Sequence, residues 1–210
     1  MSEQPVSALS EGDQDPTQLN HFKAGVVIGE LPFVIEGTAP NIPATFDLVV
    51  SLPDDKWAEL KPRVDEEITK NSQFASRYRR LQQIQCLGNG TVGLVWVSEA
   101  IADDGAQSVG VSGIQTNSMY LPEGSEYHNA SGIGSFILDS LCTIADIRGW
   151  RVYLEPLERG GKLTQGELVE WYKRHGFEDN SSEDKHSNFG GMVRFPGQVD
   201  PSQPIARLVV

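Results

Sequence analysis

Apolar positions along this chain follow two periods, one of about 2 and one of about 3.6 residues. Residues 22–36 (FKAGVVIGELPFVIE) carry short apolar runs around a glycine and predict one or two short strands. Thr45–Leu52 (TFDLVVSL) alternates more clearly and predicts another. From about Lys56 the spacing lengthens. Trp57, Leu60, Val64 and Ile68 lie three or four apart and share one face of a helix opened by Pro53–Asp55. Pro62 falls inside that helix, where a missing N–H predicts a kink or a restart. Residues 72–80 show no clear period. Leu81–Leu87 alternates weakly, and Gly88-Asn89-Gly90 turns into Thr91–Ala100 (TVGLVWVSEA), which predicts a hairpin. Asp103-Asp104-Gly105 predicts a second hairpin turn, into a strand over Ser108–Leu121.

Past residue 130 the period changes. Ile133, Ile137, Leu141 and Ile144 form one helical stripe, widened by Phe136, Leu138 and Ala145. Arg148 and Gly149 end that helix, the glycine as a C-cap. Trp150–Glu155 (WRVYLE) alternates and is stopped by Pro156. Met119–Glu155 therefore reads strand, loop, helix, strand: a βαβ unit whose two strands run parallel through a right-handed crossover. Thr164 and Glu167 have capping-box spacing, and the helix that follows carries Leu168 and Tyr172 on one face and ends at Gly176. Phe177-Glu178 and Met192–Phe195 predict a last antiparallel pair, joined by a polar loop over 179–188. The expected class is α/β (α+β): a mixed, mostly antiparallel sheet with one central parallel pair and flanking helices.

Composition sets outer bounds. The chain has 210 residues, 39% of them hydrophobic, enough for one medium-sized core. The expected organisation is a disordered acidic tail over 1–20, one domain over 21–195, and an extended, proline-containing tail over 196–210 with apolar last residues. No run reaches the ~18 apolar residues of a membrane helix, and the first residues lack a signal-peptide pattern, so a cytoplasmic protein is expected. Cys86 and Cys142 form no metal or redox motif and are expected as buried thiols; the four scattered histidines make no metal site. Trp57, Trp96, Trp150 and Trp171 are expected in the core. A formal charge of -12 argues against nucleic acid, whose phosphates need a basic face, and favours a cationic acceptor.

The candidate chemistry lies at the start of the second helix. Gly132-Ile133-Gly134 is a weak signal alone, since roughly two G-x-G triplets are expected by chance in a chain this rich in glycine. Its setting distinguishes it from Gly88/Gly90: it follows a strand and a loop and opens a helix. The first N–H groups of a helix lack internal partners and face outward from its positive end, which suits a phosphate. The third glycine of a dinucleotide fingerprint is replaced by Ile137, and no Gly-Lys-Ser/Thr is present, so neither a Rossmann site nor a P-loop fits.

Asn129-Ala130-Ser131-Gly132-Ile133-Gly134, followed by an apolar helix, resembles motif A of the GNAT superfamily of acetyl-CoA-dependent N-acetyltransferases, Gln/Arg-x-x-Gly-x-Gly/Ala. Tyr172-Lys173-Arg174-His175-Gly176-Phe177 resembles the end of that family's motif B, Tyr-x-x-x-Gly-Phe. The resemblance spans about 80–195 and is only topological over 45–80. The chain departs from the pattern at Asn129, where Arg or Gln is usual, at Gln165, where an Asn often contacts the cofactor, and at Leu168, where a small residue is common.

The resemblance implies a site. Asn129, Ala130, Ser131, Gly132, Ile133, Gly134, Ser135 and Gln165 would hold acetyl-CoA. The two parallel strands, expected at about 116–121 and 150–155, would splay to admit its pantetheine arm. An amine would attack the thioester directly, with a strand N–H on the oxyanion and Tyr172 protonating the leaving thiolate. Glu123, Glu126 and His128, just past the strand end, are candidate bases for the amine proton. His175 and His186 read as surface residues. The implied acceptor is an amine-bearing small molecule or protein, with no metal, no nucleic acid and no membrane. The alternative reading is a catalytically inactive module of the same fold that serves as a protein-binding or structural component; a homodimer or a protein assembly is compatible with either. A toxin acting on charged transfer RNA fits the acidity poorly.

Overall fold

The structure is a computed structural model that describes residues 20–72, 89–102, 104–157, 163–180, 191–198 and 205–209, without the side chains of 67, 68, 70–72 and 209. The expected acidic tail, save Asn20, which opens the first strand, and residues 81–88 lie outside this set. Among the described residues, eight strands form one sheet in the order β1-β2-β3-β4-β5-β6-β8-β7. The strands are β1 (Asn20–Ile28), β2 (Leu31–Ala39), β3 (Phe46–Ser51), β4 (Thr91–Ile101), β5 (Gln107–Thr116), β6 (Arg151–Leu154), β7 (Glu178–Asp179) and β8 (Met192–Arg194). Only β5 and β6 run parallel. The helices are α1 (Asp54–Ser72), α2 (Ile133–Arg148), α3 (Gln165–Arg174) and the turn α4 (Ala206–Val209). This is the mixed, mostly antiparallel α/β architecture expected from the sequence.

The main core lies between the sheet and α2. Val50, Val95, Val97, Val109, Val111, Val152 and Leu154 meet Ile133, Ile137, Leu141 and Ile144 there. Glycine lets the two approach: a Cβ on Gly93 of β4 would stand 2.5 Å from Ile133 Cγ2. The C-cap is as expected, with Gly149 left-handed at φ 68° and its N–H donating to the Ala145 and Asp146 carbonyls. Arg194 of β8 then forks onto Asp146, its two guanidinium nitrogens at 2.7 and 2.8 Å from the two carboxylate oxygens. The far end of the chain docks as well. Ile205 and Ala206 are buried, and α4, where an extended tail was expected, rests on α2 and β1.

Two local expectations are revised. The helix α1 runs through Pro62 without a break. Pro62 and Ala58, whose carbonyl loses its partner, are both exposed, so water can serve that oxygen. The expected strand over 81–87 lies outside the described residues. The strand expected over 108–121 stops at Thr116, and Ser118–Tyr120 is a 3-10 turn. Asn117 makes that exit: its N–H donates to the Val92 carbonyl at 2.8 Å, and its own carbonyl accepts from Tyr120 at 3.0 Å.

Candidate functional site

Strands β5 and β6 pair over a short stretch and then part. Ser108–Val111 faces Arg151–Leu154 in parallel register. Beyond Val111, β5 continues to Thr116 on β4 alone, while β6 ends and Pro156, which has no N–H to offer a ladder, follows. A β-bulge lies at the parting point. Trp96 pairs with Gly113 and Val97 with Val111, so Ser112 is an extra residue that bends the strand. The opening is a cleft of about 890 Å³. Its walls are the β5 segment 112–116, Leu154, Glu155 and Leu157 after β6, the glycine loop, and Leu168, Trp171 and Tyr172 of α3. The parallel strands thus part at 112–116 and 155 onward, where the sequence placed the pair at about 116–121 and 150–155.

The glycine loop is held from below. Asn129 N–H donates to the Ser118 carbonyl at 3.2 Å, and Ser118 Oγ donates to the Ala130 carbonyl at 3.1 Å. Tyr127, buried edge-on against Phe33 at 5.4 Å, anchors the approach. Gly132 caps α2 at φ 83°, left-handed backbone that favours glycine. The first intrahelical bond is Phe136 N–H to the Gly132 carbonyl at 2.9 Å. The N–H groups of Ile133, Gly134 and Ser135 therefore precede the helical ladder and sit at the positive end of α2. All seven residues from Asn129 to Ser135 line the cleft, whereas Gln165 is exposed on the first turn of α3 and does not.

Helix α3 is fastened to this loop. Thr164 and Glu167 form the expected capping box. Trp171 Nε1 donates to Ser135 Oγ at 3.1 Å, and His175 Nδ1 donates to Asp139 Oδ1 at 2.6 Å. His175, read as a surface residue, is instead mostly covered and stacks edge-on against Trp171 at 5.0 Å. Tyr172 stands between Trp171 and Phe177 and lines the cleft. Burial pushes its hydroxyl up to about 12, so it keeps its proton through the neutral range.

The loop acids lie elsewhere. Glu126 pairs with Lys56 of α1 at 3.5 Å, and the Glu123 carbonyl accepts from Arg63 at 2.8 Å. These contacts turn the 122–126 loop toward α1, and neither acid lines the cleft. His128 Nδ1 donates to the Leu121 carbonyl at 2.6 Å and does not line it either. Among the described residues, the carboxylate that does is Glu155, and no Lys or Arg lines the cleft. Sequence reasoning missed Glu155. Its signal was Pro156, which stops β6 and so leaves the preceding residue at the point where the strands part. Trp96, expected in the core, also lines the cleft and is 36% exposed. Trp150 is buried as expected, Cys142 is a buried thiol pushed up to about 12 by its surroundings, and Cys86 lies outside the described residues. Among the described residues no helix is long and apolar enough to cross a membrane.

Compared with known proteins, the chain matches no family model, no curated protein and no solved structure.

Proposed function

We propose that this chain is an N-acetyltransferase of GNAT type, moving an acetyl group from acetyl-CoA to a primary amine by direct attack. The observation that carries this reading is the parting of β5 from β6, with a helix N-terminus at its mouth and Tyr172 on its wall. The residues present fit the cofactor. The N–H groups of Ile133, Gly134 and Ser135 are free to bind a pyrophosphate, and the glycines at 132 and 134 let it come close. The free edge of β5 over 112–116, ~13 Å at ~3.3 Å per residue, suits an extended amide-bearing arm added like a strand.

Acetyl-CoA would supply a thioester carbonyl at the closed end of the cleft. There a backbone N–H at the Ser112 bulge can donate to the oxyanion as the new N–C bond forms. Tyr172 donates its proton to sulfur as the C–S bond breaks, then regains one from solvent. Glu155 replaces Glu123 and Glu126 as the acceptor of the amine proton.

The test is thermal. Saturation at ~100 times Kd adds ~2.7 kcal/mol, a rise in Tm of ~5–10 °C for a domain of this size. Gly134→Glu places a carboxylate where phosphate would sit and should abolish the rise. If acetyl-CoA does not move the Tm of the unsubstituted chain, this reading fails. A second reading is an inactive module of the same fold. It is favoured by Asn129 and by the lack of Lys or Arg along the cleft among the described residues. Binding of CoA without acetylation of any primary amine would select it.

A further inference from the structure

The two faces of the sheet differ at the point where β5 and β6 part. Alternation fixes which residues share a face. Ala100, Tyr153 and Val193 form a small apolar cluster separate from the main core, on the face turned away from α2. Stepping by two from Ala100 reaches Ser98 and then Trp96; stepping by two from Tyr153 reaches Glu155. Ser98 Oγ meets Ser112 Oγ at 3.1 Å, which brings the bulge residue to the same face. Trp96 on β4 and Glu155 just past β6 therefore share one face of the sheet, with β5 between them, opposite the face that carries the helix N-terminus of α2; both line the cleft, and the Glu155 carboxylate lies against Gly191.

Their chemistry is selective. The Trp96 ring lies over Gly113, where a Cβ would stand 3.1 Å from Cε3, so the indole is laid along β5 as a platform and remains 36% exposed. Glu155 is one carboxylate, and no Lys or Arg lines the cleft among the described residues. We infer that Trp96 and Glu155 form the acceptor subsite, and that it takes a singly charged primary amine with an aromatic or bulky apolar body. The body lies on the indole and the ammonium meets the carboxylate, with added attraction from the ring face. An amino acid would bring its own carboxylate toward Glu155, with no cation among the described lining residues to receive it. A polyamine would bring further ammonium groups, with no second carboxylate among those residues. This inference rests on the acyl-transfer reading for its chemistry, but its binding claim stands apart from it.

Calorimetric titration separates the two. Phenethylamine, phenylalanine and spermidine are titrated into the protein alone and into the protein saturated with CoA. Phenethylamine should bind at least ~10-fold tighter than either competitor, and Glu155→Gln or Trp96→Ala should each weaken it by ~10-fold, with Trp96→Phe retaining most of the affinity. Phenylalanine or spermidine binding as tightly, no phenethylamine binding in either state, or Glu155→Gln leaving it unchanged would each overturn the inference. Failure of CoA alone to bind counts against the acyl-transfer reading, while the amine titrations on the free protein still decide the subsite.

Discussion

Tyr172 shows how a single position can be legible in sequence while its neighbours are not. Its place four residues after Leu168 and four before Gly176 set its helical face, and the structure puts it on the cleft wall. The same side chain supports a prediction at this scale. If Tyr172 protonates the leaving thiolate, Tyr172→Phe should lower kcat by ~10²-fold with little change in the KM for acetyl-CoA. The raised value, from 10.0 to about 12, also has a consequence for stability. A group that holds its proton more tightly when folded contributes stability fully present below its unfolded value and lost as pH rises through the folded one. Chemical denaturation should therefore show stability falling between pH 10 and 12, and less so in Tyr172→Phe. Equal pH profiles for the two proteins would refute the burial of this hydroxyl. Pro156 marked the end of the strand at Glu155, but nothing local distinguishes that acid, as a cleft residue, from the exposed acids Glu123 and Glu126. What distinguishes it is that Val111 pairs with Leu154 and the next residue does not pair at all, which is a fact of register.

Elements follow the local pattern wherever side-chain period and capping chemistry agree. The α2 stripe ends at Gly149, and the Thr164–Glu167 box opens α3, because caps are satisfied within a few residues. The expectation failed where a distant partner decided. The end of β5 is set by Asn117 bonding back to Val92. One such long-range tie is strong enough to test. Asp146 and Arg194 have only 8% and 15% of their side chains exposed and bond through both nitrogens, joining the last turn of α2 to β8. Removing one partner leaves a buried charge unpaired, so Asp146→Ala should cost ~3 kcal/mol or more, read as a lower urea midpoint. The double variant Asp146→Ala, Arg194→Met should recover part of that loss, because no charge is then left buried without a partner.

At the scale of the whole molecule, the question is what the open edge of β5 is for. Backbone amides that face a parted neighbour exchange with solvent more readily than those in a ladder. Native-state hydrogen exchange should therefore find amides on the free edge of 112–116 faster than those of 108–111, and saturating CoA should slow them. Unchanged exchange on saturation would rule out the strand-like docking of the arm. The sequence by itself determined the number and order of most elements, the parallel βαβ unit and the glycine-opened helix, because period, caps and turns act over a few residues. Only the tertiary structure decided where the strands part, that Glu155 and Trp96 share a face, and that Glu123 and Glu126 turn toward Lys56 and Arg63. Those outcomes depend on the register of strands far apart in the chain, on a bulge at Ser112 and on the proline after Glu155, and no local pattern encodes how such features meet.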